Sequence, residues 1–182
     1  MSQATAPDIR SAYLADVMRQ FKMFKGFVDK ALPRVPDEHL HTVLDPNSNS
    51  IAVIVKHIGG NLRSRYRDFL TSDGEKPDRD RDSEFEMTGQ ESRAEILKGW
   101  EDGWSIAFAS IGALGPADLD RTVYIRGEAF LVLEALNRSL AHMASHVGQI
   151  VYLARHFAGD TWTSLTIPKG ASAGLKGDFK SR

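Results

Sequence analysis

The sequence predicts an all-α protein: a four-helix bundle with a short β-hairpin before its last helix. Three observations carry this reading. Four long segments repeat apolar residues at spacings of three and four, the stripe of a helix with one buried side. Each segment is bounded by proline, glycine or a capping side chain. One short stretch, Arg121 to Phe130, departs from that period and favours extended chain.

The first helix is expected from Asp8 to Leu32, with Leu14, Val17, Met18, Phe21, Phe24, Val28 and Leu32 on its stripe. Pro7 suits a first helical position, and Asp8 behind it favours the positive end of the helix dipole. Pro33 and Pro36 stop the helix. A polar loop, Asp37 to Asn49, closes with Asp45-Pro46-Asn47-Ser48-Asn49, where Ser48 or Asn49 is expected to cap the second helix. That helix reads Ser50 to Leu70, burying Ile51, Ile54, Val55, Ile58, Leu62 and Phe69. Gly59-Gly60 in its middle is costly, about 1 kcal/mol each relative to alanine, and implies close packing against a neighbour.

Glu75 to Glu86 alternates acids with Lys76, Arg79 and Arg81 and reads as a solvated crossover. Ser92-x-x-Glu95 is a capping-box pattern for the third helix, whose stripe is Ile96, Leu97, Trp100, Trp104, Ala107, Phe108 and Ile111. Gly112, Gly115 and Pro116 end it. Val123, Tyr124 and Ile125 favour strand, and a turn at Arg126-Gly127 gives the hairpin. The last helix is expected from Leu131 to Phe157, with Leu133, Leu136, Leu140, Met143, Val147, Ile150 and Ala154 inward and Gly159 as its stop. The whole chain, 1–182, reads as one domain with a core over 8–158. A surface tail, 159–182, is anchored by Trp162 and Leu165.

Composition narrows the function. With 42% hydrophobic and 26% charged residues, the chain has ordinary means to build a core. Lys plus Arg number 23 against 24 Asp plus Glu, so no basic excess marks a nucleic-acid partner. There is no cysteine, which excludes thiolate metal sites, disulfides and a cysteine nucleophile. Met1 to Pro7 lacks the order of a secretory signal, and no apolar run approaches the roughly 18 residues that span a bilayer. A cytoplasmic protein without a membrane partner is expected.

Among six histidines, only His142 and His146 stand four apart in a strong helical pattern. That spacing sends both rings from one face, roughly 6 Å apart along the axis, as a divalent ion held by two imidazoles of one helix requires. Two imidazoles bind weakly, and His57 is the best third ligand because it lies beside Ile54 and Ile58, where an isolated charge is costly. Asn61 and Gln149 fall where they would orient a ligand or a water. His39 and His41 lie in a polar loop, and His156 is rotated off the ligand face. The zinc-protease motif fails because Met143, not glutamate, follows His142. A di-iron carboxylate bundle fails because Glu38-x-x-His41 is a single copy in a loop. Ser64, Ser105 and Ser139 lack the glycines of a nucleophile elbow. Arg63 and Arg67 share a side of the second helix that Arg65 does not; surface solvation is the expected role of all three, with contact to an anionic substrate by one of them as the alternative.

The stretches Ile51-Ala-Val-Ile-Val-Lys-His57-Ile-Gly-Gly-Asn61, Arg63-Ser-Arg-Tyr-Arg-Asp-Phe-Leu-Thr-Ser-Asp-Gly-Glu-Lys-Pro77 and Leu140-Ala-His142-Met-Ala-Ser-His146-Val-Gly-Gln149-Ile-Val-Tyr-Leu-Ala-Arg155 resemble the DinB/YfiT-like superfamily, and within it the DUF1572 branch. The resemblance runs from His41 to Ile167. It implies a bundle holding one divalent transition metal on His57, His142 and His146, with water or substrate completing the shell. Nickel, zinc, iron and manganese all suit such a site. It also implies a homodimer and, by analogy with some relatives, a metalloenzyme using a low-molecular-weight thiol on a small electrophile, as an S-transferase or hydrolase. Two other readings stand beside it. In one, the metal is a non-catalytic staple between helices. In the other, the chain is a dimeric interaction or stress-response bundle, with Trp100 and Trp104 offering the contact face unless they pack the core.

Overall fold

Asp8 opens the first helix not from within its first turn but as its cap, its carboxylate accepting the Ser11 N–H at 3.2 Å. The computed structural model describes residues 8–173. Pro7, the Met1 to Pro7 leader reading and the tail over 174–182 therefore lie outside the described residues. Helix α1 spans Ile9–Ala31 and runs into a short 3-10 turn at Leu32–Arg34, where Pro33 ends the α pattern.

Helix α2 spans Ile51–Tyr66. Its cap is Ser50, one or two residues later than expected, with extended backbone and a hydroxyl that accepts the Val53 N–H at 3.3 Å. It also ends earlier than the apolar pattern suggests. Arg67 turns extended at ψ 123°, and Asp68 takes a left-handed φ of 52°. The Asp68 carbonyl then accepts from the backbone N–H groups of both Thr71 and Ser72. Phe69 still reaches the core, but from a turn.

Helix α3, Arg93–Gly112, begins with the expected capping box of Ser92 and Glu95. A 3-10 turn at Pro116–Asp120 leads to strands β1, Thr122–Ile125, and β2, Glu128–Leu131, paired antiparallel with Ile125 opposite Glu128. The two-residue turn places Arg126 at φ 56° and Gly127 at φ 76°, the left-handed pair a tight hairpin needs. Helix α4 covers Val132–Ala158 and stops at Gly159, φ 51°.

The core closes between α2 and α3 and between α1 and α4. At the first contact the backbones touch: a Cβ on Gly59 would lie 2.5 Å from the Gly99 carbonyl oxygen, and one on Gly103 equally close to that of Gly59. Trp100 and Trp104 are wholly buried edge to face, and Trp104 meets Phe21 the same way. Neither tryptophan can therefore offer a contact face. Trp162 and Leu165 pack on the core edge, with the Arg34 guanidinium over the Trp162 ring. Among the described residues no helix is long and apolar enough to cross a membrane.

Candidate metal centre

Helix α2 is buried on nearly every side, because it meets α3, α4 and the loop that follows it. A polar side chain on it must find partners inside the protein. His57 is 4% exposed, and its ring turns toward α4. From α4, His142 and His146 project half-buried rings one turn apart toward it. The Nε2 of His142 lies 3.3 Å from that of His57 and 3.1 Å from that of His146. The ligand atoms of all three fall within 4.8 Å of one another. Nitrogens about 2.0–2.1 Å from one ion sit roughly 2.8–3.4 Å apart across adjacent octahedral or tetrahedral positions, a range that holds the two close spacings.

The outer ring nitrogens decide what the inner ones present. His57 Nδ1–H donates to Glu84 Oε2 at 2.8 Å, and His146 Nδ1–H donates to Gln149 Oε1 at 3.1 Å. Each bond assigns the ring proton to Nδ1 and leaves a lone pair on Nε2. Both lone pairs aim at His142 Nε2. One N–H there points at only one of them, whereas a cation between the rings satisfies all three. The donor set fits a divalent metal.

Electrostatics agree with that arrangement. Burial, followed by the neighbouring His146 and His57 and the charges of Arg138 and Arg65, pushes the pKa of His142 down to about 3. Burial likewise lowers His146, against the opposing hydrogen bond to Gln149. Neutral imidazoles are what a metal binds.

Glu84 was not among the expected site residues. It comes from a 3-10 turn, Asp82–Phe85, within the segment expected to be a solvated crossover, yet it is 5% exposed. Arg79 grips both its oxygens, Nε to Oε1 at 2.7 Å and Nη2 to Oε2 at 2.8 Å. Burial alone would raise the Glu84 carboxyl, but the hydrogen bonds from His57 and Arg79, with the Arg79 charge, outweigh it and hold the pKa low. The Lys56 ammonium clamps the turn by donating to the carbonyls of Ser83 at 2.7 Å and Glu86 at 2.8 Å. Phe85 from the same turn lies tilted against His57, ring centres 4.8 Å apart. The available sequence signal is the apolar pair Phe85 and Met87 in a charged run, beside a helix whose Gly59-Gly60 pair calls for a close neighbour.

The other expected residues separate cleanly. Asn61 is buried and lines the adjoining cleft, and it makes no hydrogen bond to the three rings. Gln149 contacts His146 directly. His39 stacks on Phe157, His41 bonds the Glu91 carbonyl, and His156 lies against Phe157, all outside the cluster. Arg67 pairs with Asp78, while Arg65 is drawn inward to Glu75 and faces the cleft, against the expectation that it is solvated. The cleft, about 910 Å³, opens beside the three rings. The hairpin supplies part of its wall through Ile125 and Phe130.

Residues 8–171 match the family described as "Protein of unknown function (DUF1572)". The chain belongs to that family. No curated protein and no solved structure matches it. In this DUF1572 chain the matched span contains all three clustered histidines together with Glu84, Arg79 and Gln149.

Proposed function

We propose that His57, His142 and His146 hold one divalent transition-metal ion, of the nickel, zinc, iron or manganese type, and that the protein is a metalloenzyme working on a small molecule in the adjoining cleft. The observation that carries this is the pair of outer hydrogen bonds, which turn the Nε2 lone pairs of His57 and His146 onto the same point as His142 Nε2. The resemblance to DinB/YfiT-like proteins supports the same ligand set. It also supports a reaction in which a low-molecular-weight thiol or water attacks a small electrophile, as in S-transfer or hydrolysis.

When bound, such an ion supplies Lewis acidity and lowers the pKa of a water or thiol at its remaining position. The protein's own part is positional. Glu84 keeps the His57 proton on Nδ1, and Arg79 keeps Glu84 ionised. Gln149 does for His146 what Glu84 does for His57. Phe85 and Phe130 give the cleft apolar surface that limits water.

Elemental analysis of purified protein is expected to find about one ion per chain, falling sharply in His57→Ala, His142→Ala and His146→Ala. Full metal content in all three variants would overturn the site. An ion here also ties α2 to α4, so chelation lowers the thermal midpoint whether or not the ion is catalytic. Turnover separates the two: a panel of electrophiles assayed with cellular thiols is expected to show activity that chelator abolishes. Absence of any chelator-sensitive turnover leaves the ion as a staple.

A further inference from the structure

The cleft beside the histidines is lined by five arginines, Arg65, Arg79, Arg81, Arg126 and Arg138, against one lining acid, Glu128. Most of these guanidinium groups are already engaged. Arg65 and Arg126 each pair with Glu75, and Arg79 with Glu75 and Glu84. Arg81 lies over the Phe85 ring at 4.9 Å and reaches Asp82 at 3.7 Å. Arg138 is different. It makes no hydrogen bond and no ion pair among the described residues, although it lines the cleft.

Its place on α4 gives that charge a direction. Arg138, His142 and His146 follow one another at intervals of four, so they share one helix face with about 5–6 Å between successive Cβ atoms. The guanidinium thus stands one turn from the histidine cluster, on the same wall, and its charge is felt at the His142 ring. A guanidinium offers two parallel N–H donors matched to a carboxylate. The same cleft is lined by Phe85, Ile125 and Phe130, apolar surface suited to a short carbon frame.

We infer that the cleft takes a small organic carboxylate, gripped by Arg138 and lying alongside the three histidines. This rests on the cleft being the substrate site of the proposed metalloenzyme, and it names the substrate class: an anion whose fixed carboxylate anchors it while its reactive part is presented to the histidine cluster. The engaged arginines shape the positive field of the cleft, and Arg138 supplies the free fork.

Succinate is the probe and its neutral diamide the control, titrated calorimetrically into the full chain, both zinc-loaded and chelator-treated. Wild type is expected to bind succinate and not the diamide. Arg138→Gln is expected to weaken succinate about tenfold or more in both states, the worth of one charge-assisted bidentate contact. Arg155→Gln, which removes an exposed guanidinium elsewhere on α4, is expected to keep the wild-type value. Equal succinate affinity in wild type and Arg138→Gln, equal binding of the diamide, or an equal loss in Arg155→Gln would overturn the inference. Metal content of the same samples is read separately. Wild type that holds no zinc yet binds succinate through Arg138 would keep this inference and remove the metal reading.

Discussion

Gly60 leaves the space that Glu84 fills: a Cβ at Gly60 would lie 2.3 Å from Glu84 Oε1. The second glycine of the Gly59-Gly60 pair therefore serves the histidine cluster and not the helix contact. Gly60→Ala should gain helix propensity yet push the carboxylate off His57. We expect metal affinity to fall about 10–100-fold, the usual effect of losing an outer partner of a ligating histidine. Competition titration against a zinc indicator measures it, and unchanged affinity would refute the link.

Gly59 tests the opposite role. Its missing Cβ admits the Gly99 carbonyl, so Gly59→Ala separates α2 from α3. A loss of about 1–3 kcal/mol is expected from such overpacking. Gly26→Ala in α1 meets nothing within 4 Å and should instead stabilise by about 0.5–1 kcal/mol. Urea denaturation of the two variants should move in opposite directions.

Glu84→Gln keeps the shape but removes the charge that Arg79 grips and that favours the His57 proton on Nδ1. Metal affinity should fall by about tenfold or more. Stability should fall as well, because Arg79, with a side chain 5% exposed, loses its main counter-charge. A Glu84→Gln protein with wild-type affinity and midpoint would deny the carboxylate its role.

Stability of the metal-free protein should decline on acidification. His142 in the fold titrates near pH 3 and in the unfolded chain near 6.5, so below pH 6.5 the unfolded state binds the extra proton first. Its contribution is complete above 6.5 and drains away as pH falls toward 3. Glu84, also lowered in the fold, acts in the same direction below its ordinary value of 4.5. Denaturant midpoints measured from pH 7.5 to 5 should drop for wild type and drop less for His142→Gln. Equal slopes would show that His142 is not the group responsible.

Helix periodicity, the Ser92–Glu95 box and the Arg126–Gly127 turn are local features, fixed within a few residues of chain, and the folded protein follows them closely. Where local signals compete, the folded chain departs from the apolar pattern. Apolar spacing carried α2 on to Leu70, but Asp68 adopts a left-handed turn that hydrogen-bonds Thr71 and Ser72 and ends the helix at Tyr66.

The histidines His142 and His146 were legible because one helix turn relates them, and His57 because a polar ring on an apolar face must be used. Glu84 and Arg79 were not. Their charges look solvated in a linear chain, and only the packing of the 82–85 turn onto α2, across the gap left by Gly60, removes them from water and joins them to His57. Spacing along a helix is written into sequence, whereas burial of a loop carboxylate depends on which surface the loop lands on.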